Sequence, residues 1–110
     1  MARPTPEYIA EATALVVGRV RELKLLSYDE ASKLPEVVGD DVVIAGARAQ
    51  VTTYRQSEAL QLEGEILVVV LVAKPGLLGM STFHIERGLV FSSKKPTRNA
   101  TERELQNSGG

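Results

Sequence analysis

Cysteine is absent from this 110-residue sequence, and histidine occurs only once. Without cysteine the chain has no disulfide, no thiolate chemistry and no cysteine-based zinc site. The aromatic residues are three Tyr and two Phe, too few for a base-stacking surface that binds single-stranded nucleic acid. The formal net charge is −1, so no overall field attracts nucleic acid or an anionic membrane. We therefore expect neither as a partner.

Long apolar runs and a secretory signal pattern are also lacking. The apolar run Ile66–Ala73 has eight residues, too few to span a bilayer as a helix. Residues 1–7 do not combine a basic start with an apolar core, so we expect a cytoplasmic protein. Hydrophobic residues make up 44% and charged residues 25%, which is typical of one soluble domain over residues 1–110. Residues 1–5 and 106–110 are expected to be disordered tails.

The run Ile66–Ala73 predicts the strand around which the domain is built. Four of its eight residues are Val and one is Ile, and β-branched side chains favour a strand over a helix. Side chains of a strand alternate between two faces, and here both sets are apolar. We therefore predict a central strand that begins near Leu60 and is covered on both faces.

The amino-terminal part of the sequence predicts a long helix. Thr5 suits the N-cap, Pro6 suits the first helical position, and apolar residues then recur at helical spacing as far as Leu26. Gly18 interrupts the pattern, which leaves three interpretations: a close backbone contact, a bend or a tolerated glycine.

A second, short helix is predicted immediately after the first. Ser27 and Glu30 have the spacing of a capping box, in which each side chain satisfies an exposed amide of the other residue. Pro35 stops this helix, because proline disfavours helical backbone before it.

Two more strands are predicted beside the central one. Gly39-Asp40 is a turn signal that either closes a small hairpin or leads into a strand over about residues 42–56. A further strand covers about residues 80–93, with Gly88 as a candidate bulge. Asn99 and Glu102 are candidate caps of a short helix in the polar tail. The predicted fold class is α+β, with a helix and a short helix packed on a three-stranded or four-stranded antiparallel meander.

The shortest hairpin loops give conflicting registers for this sheet. Pairing Arg55 with Leu60 places the apolar side of one flanking strand with the even-numbered residues of the central strand. Pairing Lys74 with Met80 places the apolar side of the other with the odd-numbered residues. A bulge or longer loops would remove the conflict. Otherwise both faces need a cover, and a second copy of the chain is the economical one. We therefore predict a homodimer or larger assembly with an interface containing Val68, Val70, Val72, Phe83 and Ile85.

Candidate catalytic residues are few. His84 could act as a general base oriented by Glu86, but no motif links a nucleophile to it, and a partly exposed strand histidine is the simpler interpretation. One histidine with scattered carboxylates has no metal-ligand spacing, so we predict no metal and no cofactor.

Polar residues near the ends of the strands are candidates for binding a ligand or partner. Tyr and Arg are common anchors in interfaces, and paired polar residues across strands can also be a solvated sheet surface. The candidates are Arg48, Tyr54, Arg55, Glu63 and Glu65.

The predicted function is a small, soluble, homo-oligomeric binding or interaction module that is not an enzyme, because no catalytic constellation accompanies the fold. A protein or small-molecule partner fits this interpretation. The alternative is a small-molecule-binding or enzymatic α+β cone, in which a curved sheet encloses a pocket lined by His84, Glu86, Tyr54 and Arg48.

Overall fold

The fold is an open antiparallel sheet with helical segments on both faces. A computed structural model describes residues 5–56, 64–74 and 83–107. The elements in chain order are α1 (Pro6–Leu23), α2 (Tyr28–Ser32), β1 (Val37–Ile44), β2 (Ala47–Gln56), β3 (Glu65–Lys74), β4 (Phe83–Ser92), β5 (Arg98–Asn99) and α3 (Glu102–Asn107). The strands form one sheet in the order β1-β2-β3-β4-β5, with every neighbouring pair antiparallel. The α+β class is confirmed, but the sheet has five strands rather than three or four.

Helix α1 begins as its sequence predicts. The hydroxyl of Thr5 accepts a hydrogen bond from the backbone N–H of Tyr8 at 3.1 Å, and Pro6 is the first helical residue. The buried side of the helix carries Tyr8, Ala12 and Val16. A Cβ atom on Gly18 would have no neighbour within 4 Å, so a close contact does not explain this glycine.

The capping box at the start of α2 is also confirmed. The backbone N–H of Ser27 donates to the Glu30 carboxylate at 3.0 Å, and the N–H of Glu30 donates to the Ser27 hydroxyl at 3.1 Å. This reciprocal pair caps the start of a second helix, so the chain does not continue along α1. Helix α2 stops at Ser32, ahead of the predicted barrier at Pro35.

The strand predicted over residues 42–56 is in fact a hairpin of β1 and β2. Ala45 and Gly46 form the turn, with φ of 49° and 79°, which is the left-handed pair of a type I′ turn. Gly39 and Asp40 lie inside β1, so the turn predicted there is wrong. The amide of Ala45 donates to the carboxylate of Glu11 on α1 at 2.6 Å, and this bond holds the turn against the helix.

Neither register of the shortest loops occurs, and the conflict disappears because the pairing of β3 with β4 is displaced by an odd number of residues. Arg55 pairs with Val68, eight residues beyond its predicted partner, and this even displacement leaves the faces unchanged. Lys74 pairs with Phe83, three residues beyond its predicted partner, and this odd displacement exchanges the faces of β4. The connections are longer than the shortest loops, and they include residues 57–63 and 75–82, which lie outside the described residues. The apolar sides of β2 and β4 therefore meet the same side of β3.

The helix face of the sheet, defined by the even-numbered residues of β3, lies under α1 and α2. Two groups of buried side chains fill this layer. One joins Tyr8, Ala12 and Val16 of α1 to Ile44, Ala49, Val51, Val70 and Val72. The other joins Ala31 of α2 to Ile66, Val68, Leu89 and Phe91.

The tail face, defined by the odd-numbered residues of β3, is covered in part by the segment 98–107. Leu105 of α3 packs with Leu67, Val69 and Val90, and Tyr54 and Ala100 lie alongside. Gly88 pairs with Val69 in a regular ladder, so the predicted bulge is wrong. A Cβ atom on Gly88 would lie 2.9 Å from Leu105 Cδ2 and 3.2 Å from the Cβ of Ala100. Glycine is needed at this position because α3 and the preceding turn approach the strand so closely.

Helix α3 is capped by Thr101 and Glu104 rather than by the predicted Asn99 and Glu102. The N–H of Thr101 donates to the Glu104 carboxylate at 2.9 Å, and the N–H of Glu104 donates to the Thr101 hydroxyl at 3.2 Å. The guanidinium of Arg98 donates two hydrogen bonds of 2.8 Å to the same carboxylate. These bonds from Arg98 are the main reason that the pKa of Glu104 is lowered to about 2.

Candidate interaction edge

Strand β1 forms one edge of the sheet. The backbone N–H and C=O groups of its successive residues point alternately toward β2 and away from the sheet. In a two-residue hairpin the residues that flank the turn exchange hydrogen bonds, so Ile44 and Ala47 form such a pair. The N–H of Arg55 donates to the carbonyl of Glu36 at 3.0 Å in the same alternation. The even-numbered residues of β1 therefore direct their N–H and C=O groups to β2. The odd-numbered residues direct theirs away from the sheet: Val37, Gly39, Asp41 and Val43.

The outer edge of β1, defined by those four outward-directed residues, carries large apolar side chains in solvent. Val37 and Val43 are 66% and 71% exposed, and both lie on the tail-face side of β1. Val38, on the helix-face side, is 39% exposed. Asp40 lies between them and binds Arg19 of α1, with Nη1 3.3 Å from the carboxylate. The edge thus combines strand amides that point away from β2 with valines that a neighbouring strand would cover.

The opposite edge of the sheet, on β4, is covered along part of its length. Strand β5 pairs with Leu89 and Val90. The N–H of Ala100 donates to the carbonyl of Gly88 at 2.8 Å, and Arg87 Nη1 donates to the carbonyl of Glu86 at 2.8 Å. Within residues 5–56, 64–74 and 83–107, no strand pairs with the outer edge of β1.

Arg55 lies on the helix face and ties α2 to the sheet. Its Nε donates to the carbonyl of Leu34 at 2.9 Å, in a partly buried position. Its backbone N–H donates to the carbonyl of Glu36. These two bonds fix the segment that connects α2 to β1, so Arg55 has a structural role in the chain.

Arg48 and Tyr54 lie at opposite ends of β2. Both are on the tail-face side, and they are six positions apart, which corresponds to about 20 Å along a strand. Tyr54 packs against the cluster around Leu105, whereas Arg48 is exposed beside Val43. The structure therefore does not bring these two residues together in one pocket.

Glu65 and Glu86 lie on the tail-face side at different levels of the sheet. Glu65 pairs with Ser92, and its charge contributes to raising the pKa of the Arg98 guanidinium, although the hydrogen bond to Glu104 contributes most. Glu86 pairs with Leu71, and its Oε2 is buried with no hydrogen-bond partner among the residues that the structure describes.

Three of the predicted site residues are described incompletely or not at all. His84 and Phe83 are placed by their backbone, opposite Ala73 and Lys74, while their side chains lie outside the described part. Glu63 lies outside the described residues altogether. Among the described residues, no group of three His, Cys, Asp or Glu side chains is arranged to hold a metal ion.

Of the residues expected at an oligomer interface, the three valines lie in the core, and the side chain of Phe83 lies outside the described part. Val68, Val70 and Val72 are at most 1% exposed beneath α1 and α2, and Ile85 packs against the same layer. A second copy would reach these valines only if the helices moved, and this interface stays a prediction. Oligomerisation itself stays a prediction, and the outer edge of β1 is a surface that it could use.

The outer edge of β1 was missed at the level of sequence because glycine and aspartate are depleted in strands. Gly39, Asp40 and Asp41 therefore indicated a turn between two valine pairs. The symmetry of the segment Val37–Val43, with two valines at each end, was the available signal for a strand.

Comparisons with known family models, curated proteins and solved structures found no match to this chain. No helix in the described part of the chain combines the length and the apolar character needed to cross a membrane.

Proposed function

We propose that this chain is a small interaction module without enzymatic activity, which acts as a homo-oligomer and binds through the outer edge of β1. An extended segment of a protein partner adds to the sheet as a further antiparallel strand. This mode of recognition takes affinity from main-chain hydrogen bonds and specificity from alternate side chains.

The observation that supports the proposal is that β1 has backbone groups that point away from the sheet and valine side chains that are exposed beside them. Its outward N–H and C=O groups belong to Val37, Gly39, Asp41 and Val43, and the end valines of this set are the most exposed apolar residues of the strand. An added strand would satisfy these groups and would cover both valines at once. Gly39, which has no side chain, leaves the space between them open.

The residues also suggest which segments fit. Val37 and Val43 favour apolar residues opposite them, because cross-strand apolar pairs stabilise a sheet. Asp41 lies between them on the same side and favours a small or basic residue opposite it. A segment that alternates apolar residues with a central small or basic residue matches this edge.

A peptide selection tests the proposal. The full chain, held at submicromolar concentration, is used to select binders from a displayed library of random peptides of about ten residues, long enough to cover β1. We expect enriched peptides that alternate apolar residues and protect the amides of the outward-directed residues from hydrogen exchange.

Two variants at one position provide the control. Asp41→Pro removes an outward N–H and leaves the amides bonded to β2 in place, whereas Asp41→Asn keeps the N–H. We expect the proline variant to lose peptide binding at least tenfold and the asparagine variant to retain it, with unchanged circular dichroism in both. Failure of a chain that is monomeric at this concentration to enrich any peptide, or peptides that bind the proline variant equally well, would contradict the proposal.

A further inference from the structure

We infer that the strand that adds to the outer edge of β1 is β1 of a second copy, in a two-fold symmetric dimer centred on Asp40. This inference rests on the proposed function and names its partner. The two sheets then join into one continuous sheet of ten strands, five from each copy.

The direction of the backbone groups limits the possible registers. Outward-directed groups belong to odd-numbered residues, so an odd-numbered residue must face an odd-numbered residue of the partner. A two-fold axis perpendicular to the sheet meets this condition, because it brings each strand antiparallel to itself and keeps the two helix faces on the same side. The axis must then pass beside a single residue of β1.

The register centred on Asp40 makes the sequence of β1 complementary to itself. Val37 faces the partner's Val43, and Val38 faces the partner's Val42. Gly39 faces the partner's Asp41, so each of these carboxylates lies opposite a residue without a side chain. Val37, Val38 and Val43, the three most exposed valines of the strand, are all covered in this register. Four hydrogen-bonded residue pairs with two bonds each give a ladder of about eight hydrogen bonds.

The neighbouring registers are worse in identifiable ways. An axis at Asp41 places Asp40 opposite the partner's Val42 and leaves Gly39 opposite the partner's Val43. An axis at Gly39 places Asp41 opposite the partner's Val37 and Asp40 opposite the partner's Val38. Both arrangements put carboxylates against valines, which neither hydrogen bonds nor apolar contacts compensate.

Charge at the axis is the one unfavourable feature of the preferred register. The two Asp40 residues face each other directly, and like charges in that position weaken a sheet. Each of them binds Arg19 of its own copy at 3.3 Å on the helix face, which offsets the repulsion. Because this balance depends on Arg19, we expect Arg19→Gln to weaken the dimer, and added salt to restore part of the loss by screening.

Single cysteines provide a register-specific test, because the natural chain contains none. In the preferred register the two Cα atoms at position 40 lie about 4.5 Å apart, within the range of a disulfide. The two Cα atoms at position 41 are diagonal neighbours about 7–8 Å apart, beyond that range. We expect mild oxidation at tens of micromolar to link Asp40→Cys into a dimer, whereas Asp41→Cys stays unlinked.

Sedimentation velocity of the uncross-linked chain completes the test. We expect a dimer for the natural chain and for Asp41→Asn, and a folded monomer for Asp41→Pro. A natural chain that is monomeric at tens of micromolar, a dimer that survives Asp41→Pro, or preferential linking at position 41 would overturn the inference.

The peptide selection separates failure of this inference from failure of the proposed function. A monomeric chain that still selects peptides sensitive to Asp41→Pro would disprove the dimer and leave the interaction edge intact. A monomer that selects none would contradict both.

Discussion

The two faces of β3 are buried to a similar depth by covers of very different size. On the helix face, Val68 and Val70 lie beneath α1 and α2, at 1% and 0% exposure. On the tail face, Leu67 and Val69 are both 0% exposed, but the cover that the described residues provide is the six-residue helix α3 and the turn that leads into it. Low exposure of a side chain therefore does not measure how much structure must move before water reaches it.

The difference predicts two levels of local stability within one sheet. Helix α1 has 18 residues and contacts the sheet along several turns. The tail-face cover depends on Leu105, on the cap at Thr101 and on the ion pair between Arg98 and Glu104. We expect the segment 98–107 to open by itself at lower free energy than the helix face.

Aspartate placed on each face of β3 is the most severe test of this comparison. Val70→Asp puts a carboxylate under α1, where burial must raise its pKa or unfold the domain. We expect this variant to lose its cooperative unfolding transition. Val69→Asp should keep a weaker transition, because α3 can separate and admit water.

Circular dichroism and denaturant melts of both variants make the comparison, with Leu25→Asp, at a residue that is 84% exposed just after α1, as a nearly neutral control. Equal loss in the two buried variants would mean that α3 cannot separate independently.

The same substitution, Leu→Ala, on each face of the sheet compares how much the two covers contribute to stability. Leu89→Ala on the helix face should destabilise the domain by about 3–4 kcal/mol, within the range for buried leucines. Leu105→Ala should cost about 2 kcal/mol, because a short segment relaxes more completely around the lost methyl groups. Urea melts measure both values, and a larger loss for Leu105→Ala would reverse the proposed order of stability.

Glycine substitution tests the close approach of α3 to β4. Gly88→Ala should destabilise by about 1–3 kcal/mol, because the new methyl group meets Leu105 Cδ2. In a double variant with Leu105→Ala the total loss should be smaller than the sum of the two single losses, since the closest of the three atoms that the new methyl group meets is gone. Gly18→Ala is the control and should stabilise α1 by about 0.5–1 kcal/mol, because its Cβ meets nothing. Strict additivity in the double variant would argue against the contact.

Acid should loosen the tail-face cover before the helix face. The pKa of Glu104 is about 2 in the folded chain against an ordinary 4.5, so its ionised form stabilises the fold above about pH 4.5. That contribution is lost as the pH falls toward 2. Because the Arg98 partner is half-exposed, we expect the loss to be about 1 kcal/mol.

Amide exchange of residues 98–107 between pH 5 and 2.5, corrected for intrinsic rates, measures this loss. Glu104→Gln should remove most of the pH dependence, and an unchanged dependence in that variant would assign it to another group.

Local signals in the sequence predicted the two amino-terminal helices of the fold. Thr5, Ser27 and Glu30 act through neighbours three residues away, so spacing alone identifies their caps. The doubly apolar pattern of β3 likewise predicted a strand covered on both faces. The caps depend on residues three positions apart, and the strand is recognised from its alternating side chains.

Features that depend on distant residues were predicted less well. The turn at Ala45-Gly46 was missed because alanine rarely adopts the positive φ that the turn requires. The registers depended on connection lengths that strand patterns do not encode. The cover of the tail face was missed because only Ala100 and Leu105 mark it in a polar segment. The candidate edge depended on the sheet order, which no local signal reveals.

The order of elements along the chain has a consequence for synthesis at the ribosome. Helices α1 and α2 precede the sheet, so their partners are available as soon as each strand emerges, whereas α3 follows the last long strand. Between the emergence of β4 and that of Leu105, the nascent chain presents Leu67, Val69 and Val90 as a bare apolar stripe. A chaperone that binds apolar segments therefore has its clearest opportunity on the tail face, in the interval when β3 and β4 have paired and α3 is still inside the exit tunnel.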